Sequence, residues 1–323
     1  MKILIMCPGS FIHQGVMTGL YSPERGEGRW SQQVAYMLAM AGHEVFAASG
    51  GLGDPQEHLG VRLLDQGRVK EFEPYDLFIE SAWWDNKEIP VKAKKYVALK
   101  WSLEDYLRKP FPEDFFLAYP YPSHHWKFSN FANSDKTFAL PAMFEFKAQA
   151  PNWDSPKVFL PGKIDKTRGH EKYMSAIIEF LKKYPVEGCS KSYFQEEFGD
   201  QIDFNKEGSV WWENESYNKV IGSIMRCRMS LPILNPGAII ETTLQGVPPV
   251  FWEHGGFFND IGRELDINIP HDAPSERFTY VAERLMNDRK THAEVVLTLQ
   301  AYFSCHVYEN AIKYFDHMVK EIF

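Results

Sequence analysis

The chain has 323 residues, 44% of them hydrophobic and 15% aromatic, and a formal net charge of −8 at pH 7. That is enough apolar material for two domains of ordinary size, and the acidic balance argues against a surface built mainly to grip nucleic acid or anionic lipid. No apolar run reaches the roughly 18 to 20 residues that a membrane span needs, and the first residues carry no signal-peptide layout, so a soluble, cytoplasmic protein is expected.

Lys2 to Cys7 reads as a first strand. A Gly-rich loop, Gly9 to Gly28, follows, with Arg25, Glu27 and Arg29 set just before a helix; it holds no Gly-x-Gly-x-x-Gly run, so a dinucleotide fingerprint is not supported. Trp30, Val34, Met37, Leu38 and Ala41 fall on one helical face, Gly42 closes that helix, and Glu44 to Ala48 makes the second strand. Val61 to Leu64, Leu77 to Glu80 and Tyr96 to Leu99 read as further strands. A strand-then-helix rhythm of this kind favours a parallel sheet covered on both faces.

Asp76-Leu-Phe-Ile-Glu80-Ser-Ala-Trp-Trp-Asp85 has the layout of a buried strand running out into a polar, aromatic loop. A carboxylate there, partly desolvated by Trp83 and Trp84, suits a general base toward a hydroxyl, which makes Glu80 and Asp85 the two candidates. Tyr119-Pro-Tyr-Pro-Ser-His-His-Trp126 is another candidate rim, with His124 as a contact for substrate or phosphate. Adjacent histidines point differently and seldom chelate one metal together, so no metal site is expected.

Residues 145 to 156 lose periodicity and collect Pro, Asn and Ser, as a linker does, so the boundary is placed there: 1–150 as a first domain and 151–307 as a second. A second rhythm begins at Lys157-Val-Phe-Leu160, whose helix puts Tyr173, Ala176, Ile177, Phe180 and Leu181 on one stripe. Ser275 reads as the N-cap of a helix with Phe278, Val281, Ala282, Leu285 and Met286 facing inward. Two such rhythms imply an α/β chain of two Rossmann-like domains. The cysteines, Cys7, Cys189, Cys227 and Cys305, form no Cys-x-x-Cys pair and suit ordinary thiols in a reducing compartment.

The most informative stretch is Pro232-Ile-Leu-Asn-Pro-Gly-Ala-Ile-Ile-Glu-Thr-Thr-Leu-Gln-Gly-Val-Pro-Pro-Val-Phe-Trp252. It reads as a helix with both ends marked, between two short apolar strands. Asn235 suits an N-cap, Pro236 the first helical position, and Gly246 the stop. A helix amino end opening straight after a strand, with Gly237 letting a ligand approach the backbone, is a natural seat for a diphosphate. Glu241, a turn further on, is placed to reach a sugar hydroxyl.

The run Glu241-Thr-Thr-Leu-Gln-Gly246-Val-Pro248 resembles the nucleotide-sugar site of GT-B-fold glycosyltransferases, particularly the large family 4 of retaining enzymes with its Glu-Ala-x-Ala-x-Gly-x-Pro-Val-like segment. The resemblance implies the GT-B architecture, two facing Rossmann-like domains with parallel sheets, in which a last helix, about 308–323, packs back on the first domain. It also implies that Glu241, with Thr242 beside it, belongs to the nucleotide-sugar set, and that the family's ribose-binding role falls on Glu241. Pro161-Gly-Lys-Ile-Asp-Lys-Thr-Arg-Gly169 is similar to the family's Gly-Arg-Leu-x-x-x-Lys-Gly signature, with Lys163 where the family has Arg and Arg168-Gly169 where it has Lys-Gly. Fixed cations and a helix amino end stabilise a leaving diphosphate without a metal. A solvated basic turn is the plainer reading of that segment.

Ser209-Val-Trp-Trp-Glu-Asn-Glu-Ser216 stands where the family holds the nucleotide base; one tryptophan, Trp212 or its neighbour Trp211, is expected to stack on it and the other to pack in the core. The family's further Glu, eight positions before the ribose-binding one, is Ile233 here, so retention of anomeric configuration does not carry over. The implied donor is a nucleoside-diphosphate sugar, UDP- or GDP-linked. No Asp-x-Asp occurs, which disfavours the metal-dependent glycosyltransferase architecture. The acceptor, whether a small molecule, a glycan or modified DNA, stays open. Viral DNA-modifying glucosyltransferases share the fold and act on hydroxymethylated bases, in which case the site of action is the host cytoplasm and Lys92, Lys94, Lys95 and Lys100 form a phosphate strip. A nucleotide-sugar 2-epimerase, which needs no acceptor, shares the fold too, and the lost Glu leaves room for a non-catalytic nucleotide-sugar-binding protein.

Overall fold

A computed structural model describes residues 1–6, 12–13, 16–17, 27–49, 54–81, 91–100, 115–120, 136–143, 147–162, 171–213, 217–232, 236–252, 258–270 and 272–323. The chain divides into two compact units, one made of Met1–Met143 with Cys305–Phe323 and the other of Phe144–Ser304. No helix among the described residues is long and apolar enough to cross a membrane.

In the first unit the strands are β1 (Lys2–Met6), the hairpin β2 (Ile12–His13) and β3 (Val16–Met17), β4 (Glu44–Ser49), β5 (Gln56–His58), β6 (Val61–Asp65), β7 (Tyr75–Ser81), β8 (Ala93–Leu99), β9 (Phe116–Tyr119) and β10 (Thr137–Ala139). Eight of them form one sheet in the order β10-β9-β8-β7-β1-β4-β6-β5, parallel throughout except that β5 runs antiparallel to β6. Its central strands are near-continuous apolar runs, with Ile3, Leu4, Ile5, Val97, Ala98 and Leu99 all at 0% exposure, as a sheet covered on both faces requires.

The helix Glu27–Met40 buries Trp30, Val34, Met37 and Leu38 and ends where Gly42 takes φ +87°. Glu27 and Arg29 lie inside this helix rather than before it. Two connections fasten the residues after β10. Trp30 Nε1 donates to Leu140 O at 2.9 Å and the Gln33 amide pairs with both backbone groups of Met143. His306 Nδ1 lies 2.7 Å from Ala142 O, and the helix Tyr308–Ile322 buries Ala311, Phe315 and Met318.

The second unit contains β11 (Val158–Leu160), β12 (Val186–Cys189), β13 (Val210–Trp212) and β14 (Met229–Ser230) in a sheet of order β13-β12-β11-β14, and a separate pair of β15 (Phe251–Trp252) with β16 (Asn268–Ile269). A parallel bridge from Ser230 to Pro249 joins the two, so the order reads β13-β12-β11-β14-β15-β16 with every pairing parallel. This is the doubly wound 3-2-1-4-5-6 order. The helix Met174–Lys183 buries Ile177, Phe180 and Leu181 with Tyr173 before it, and Ser275–Asn287 buries all five residues of its expected stripe. Ser275 is not the cap, however. Pro274, extended at φ −66° and ψ 157°, takes that position and Ser275 is the first helical residue.

At the amino end of this sheet the Glu187 side chain, at 0% exposure, is paired with Lys157 Nζ at 2.8 Å and Arg226 Nε at 3.2 Å. Residues 147–156, aperiodic in sequence, form a strap bonded along the unit. Gln149 N donates to Leu244 O at 2.7 Å, Asn152 N to Gly246 O at 2.8 Å, Asn152 Nδ2 to Cys227 O at 2.9 Å, and Ser155 Oγ to Arg226 O. The missing periodicity thus marks an extended segment whose partners lie in other elements.

Candidate functional site

In each sheet the strand order reverses direction at one place, and ligands of doubly wound sheets bind beyond the carboxyl ends of the strands there. In the second unit that place lies between β11 and β14. The chain leaves β11 into Pro161-Gly162 and leaves β14 into Leu231-Pro232, from which it enters the helix Pro236–Leu244. Both motif-bearing segments therefore start at the same crevice. Lys163, Arg168, Gly169 and Asn235 themselves lie outside the described residues, as does Ile233.

Gly237 and Glu241, four residues apart, share one face of this helix and both are half-buried. The opposite face is packed. Thr242 is at 0% exposure, its hydroxyl donating to Ala238 O at 2.8 Å and lying 3.1 Å from Ser230 Oγ. Thr242 therefore ties the helix to β14 and presents no group to a ligand, contrary to its expected place in the nucleotide-sugar set. The carboxyl end is closed by Gly246 at φ +81°, with Gly246 N on Thr243 O at 2.9 Å and Val247 N on Thr242 O at 2.9 Å. A Cβ on Gly246 would stand 2.0 Å from Ala150 O, so the strap's approach also requires glycine.

Trp212 is 7% exposed, its ring 6.4 Å from that of Phe159 in a cluster with Cys189, Ile224, Cys227 and Val247. Of the two tryptophans it is therefore the one that packs in the core. Trp211 is half-buried over Gly188, between Phe194 and Phe204. A residue that the sequence does not single out is Glu213, just past β13. Its carboxylate accepts from Ser192 N and from Ser192 Oγ at 2.9 Å, capping the helix Lys191–Phe198, whose N-cap Ser190 is left-handed and makes no side-chain cap. A Glu 21 positions away from its partner leaves no local signal.

In the first unit the reversal lies between β1 and β7. Glu80 stands at this carboxyl edge, in register with Met6 on one side and Ala98 on the other, and is half-buried. Asp85 and His124 lie outside the described residues. Lys100, fully buried, follows β8 on the same edge, its N–H on Ala118 O at 2.8 Å. Lys92, Lys94 and Lys95 sit at the amino end of that strand, where Lys94 pairs with Asp76 at 2.7 Å. The four lysines are therefore at opposite ends of one strand and do not form a phosphate strip.

Among the described residues, no group of three or more His, Cys, Asp or Glu side chains is placed to hold a metal ion. A cavity of about 550 Å³ lies away from the reversal point, at the edge strand β16 and the start of the helix Ser275–Asn287. In its wall Asp266 binds Arg277 and Arg284, while both polar atoms of the buried Asn268 side chain lack a hydrogen-bond partner.

A scan against protein-family models finds no match, and neither does a search of the curated proteins. Solved structures do match. A sucrose-phosphate synthase from Thermosynechococcus elongatus superposes with a TM-score of 0.63 at 13% identity, covering 99% of each chain. Anabaena HepE in complex with UDP-glucose gives 0.61 at 12% identity over 99% of this chain and 98% of that one. CalG4, the calicheamicin glycosyltransferase, gives 0.51 at 13% identity over 99% of both. At such identities likeness speaks for fold, and it extends over the whole chain: the two doubly wound units are those of the GT-B fold.

Proposed function

We propose that the protein is a cytoplasmic glycosyltransferase that moves a sugar from a nucleoside-diphosphate donor to an acceptor hydroxyl without a metal. The observation that carries this reading is the Gly237–Glu241 face of a helix that opens at the reversal point of the second sheet, in a fold shared over its length with glycosyltransferases. HepE is seen with UDP-glucose, and a UDP-linked sugar is the donor we favour over a GDP-linked one.

In this reading the diphosphate lies at the amino end of the helix Pro236–Leu244, where the first N–H groups and the helix dipole favour negative charge and Gly237 lets the backbone come close. Glu241 accepts from a ribose hydroxyl. As the acceptor oxygen bonds to the anomeric carbon, the bond from that carbon to the diphosphate breaks and its electron pair leaves with the diphosphate. Lys163 and Arg168 neutralise the charge that develops there. The acceptor's proton passes to a carboxylate acting as general base, for which Glu80 and Asp85 are the candidates, with His124 as a further candidate contact.

The test is calorimetric titration of UDP, UDP-glucose, GDP and GDP-mannose into the wild type and Glu241→Ala. UDP and its sugar are expected to bind, and Glu241→Ala to weaken both by about tenfold or more, the worth of a hydrogen bond to a charged group. Unchanged affinity removes Glu241 from the site. A wild-type protein that binds none of the four overturns the reading.

A further inference from the structure

We propose that Gln300 is a positioning residue for the donor helix, one that holds its carboxyl end against the strap and so sets how Gly237 and Glu241 are presented; this rests on the function proposed above. Gln300 lies on the helix Arg289–Tyr302 and is half-buried, one position beyond the fully buried Leu299. Its Nε2 donates to two carbonyls, Gln149 O at 2.7 Å and Thr243 O at 3.0 Å. One acceptor belongs to the strap and the other to the last turn of the helix that carries Glu241.

The last carbonyls of a helix have no partner within it and carry partial negative charge. Here the residues of the Gly246 stop answer some of them, and the strap and Gln300 answer others. Thr243 O receives Gly246 N and Gln300, Leu244 O receives Gln149 N, and beyond them Gly246 O receives Asn152 N. Gln149 is thus bonded through both backbone groups, its N–H to the helix and its C=O to Gln300. Gln300 closes a ring of hydrogen bonds through the helix end and the strap. Thr243 is two residues past Glu241, about 3 Å along the axis, so whatever fixes Thr243 O fixes the height of the Glu241 carboxylate. Recognition geometry degrades when such a group is misplaced by about 0.5 to 1 Å.

Three variants test this. Gln300→Leu keeps the bulk and removes both donors. Gln300→Lys restores a donor of similar reach with a charge suited to a helix carboxyl end. Val295→Ala loosens the same helix from its buried face without touching either carbonyl. UDP and UDP-glucose binding is measured by calorimetry, and amide exchange of Gln149 and Gly246 by mass spectrometry or NMR.

Gln300→Leu is expected to weaken nucleotide binding about fivefold to tenfold and to speed exchange at Gln149, as the loss of one to two hydrogen bonds would. Gln300→Lys should recover most of that loss, and Val295→Ala should leave affinity at the wild-type value. Wild-type affinity in Gln300→Leu, or an equal loss in Val295→Ala, overturns the positioning role while the proposed function stands. If the wild type binds no nucleotide, both fall together.

Discussion

The two sheets reach the same layout from different material. In the first unit β1, β4, β6, β7 and β8 are five to seven residues long and lie side by side in one uninterrupted sheet. Among the described residues of the second no strand exceeds four residues, and the sheet is two pieces joined by a bridge at Ser230 and Pro249. Both nonetheless present one reversal point with motif-bearing loops on either side. Where the strands are long, their own burial defines the sheet. Where they are short, the order rests on what surrounds them: the strap, the Glu187 cluster and the glycines that let rings and backbone approach. Perturbing comparable features in the two units should therefore give unequal results.

The largest effect is expected from acid on the first unit. Burial of His306 lowers its pKa from 6.5 to about 4. Between those values the unfolded chain binds a proton that the folded chain does not, so stability falls as pH drops through this window, by about 3 kcal/mol in full. Urea midpoints measured at pH 7.5 and 4.5 should separate, and His306→Gln should narrow the separation. Burial also lowers the pKa of His292 in the second unit, so its contribution has the same sign. An unchanged pH dependence in His306→Gln would show that the first unit is not closed by that contact.

Next in size is removal of a lysine from each unit. Lys157→Met leaves Glu187 at 0% exposure with only the half-exposed Arg226, and should cost about 2 to 3 kcal/mol. Lys94→Met breaks a pair whose lysine is 70% exposed and should cost less than about 1 kcal/mol. Equal losses in denaturant titrations would contradict the view that the short-stranded sheet leans on its cluster. An effect smaller than that of Lys157→Met concerns Gly188. A Cβ there would lie 2.4 Å from the Trp211 ring, so Gly188→Ala should cost about 1 to 2 kcal/mol and shift that tryptophan's emission. Gly67→Ala in the first unit, with its nearest contact the Asp65 carboxylate at 3.3 Å, is the milder counterpart.

The fold is legible in the sequence where burial is periodic. The stripe Phe278, Val281, Ala282, Leu285 and Met286 and the apolar runs of β1, β4, β7 and β8 state their environment directly, because each is buried by the pattern it displays. β9 and β10 lack that signal: their residues are aromatic or polar as often as aliphatic, and Phe116 and Ala139 are only half-buried. The strap lacks it as well, since an extended segment bonded to carbonyls far along the chain has no internal repeat. At the candidate site, the helix Pro236–Leu244 and its Gly246 stop are legible because caps are local chemistry. Which of Glu241 and Thr242 faces outward is not, nor which tryptophan is buried, because these depend on where β14 and β11 lie in space. Gln300 carries no sequence signal at all; its acceptors are contributed by residues 57 and 151 positions away.

The division of the chain has a consequence for synthesis on the ribosome. Residues 144–304 form a contiguous unit and can fold as soon as they have emerged. The first unit, although most of it is made earlier, lacks Cys305–Phe323 until translation has passed through the whole of the second. Until then the surfaces that receive Ala311, Phe315 and Met318 remain uncovered, and Ala142 O waits for His306. The amino-terminal unit is therefore the last to be completed, and any truncation before residue 305 exposes an apolar face on a sheet that is otherwise finished.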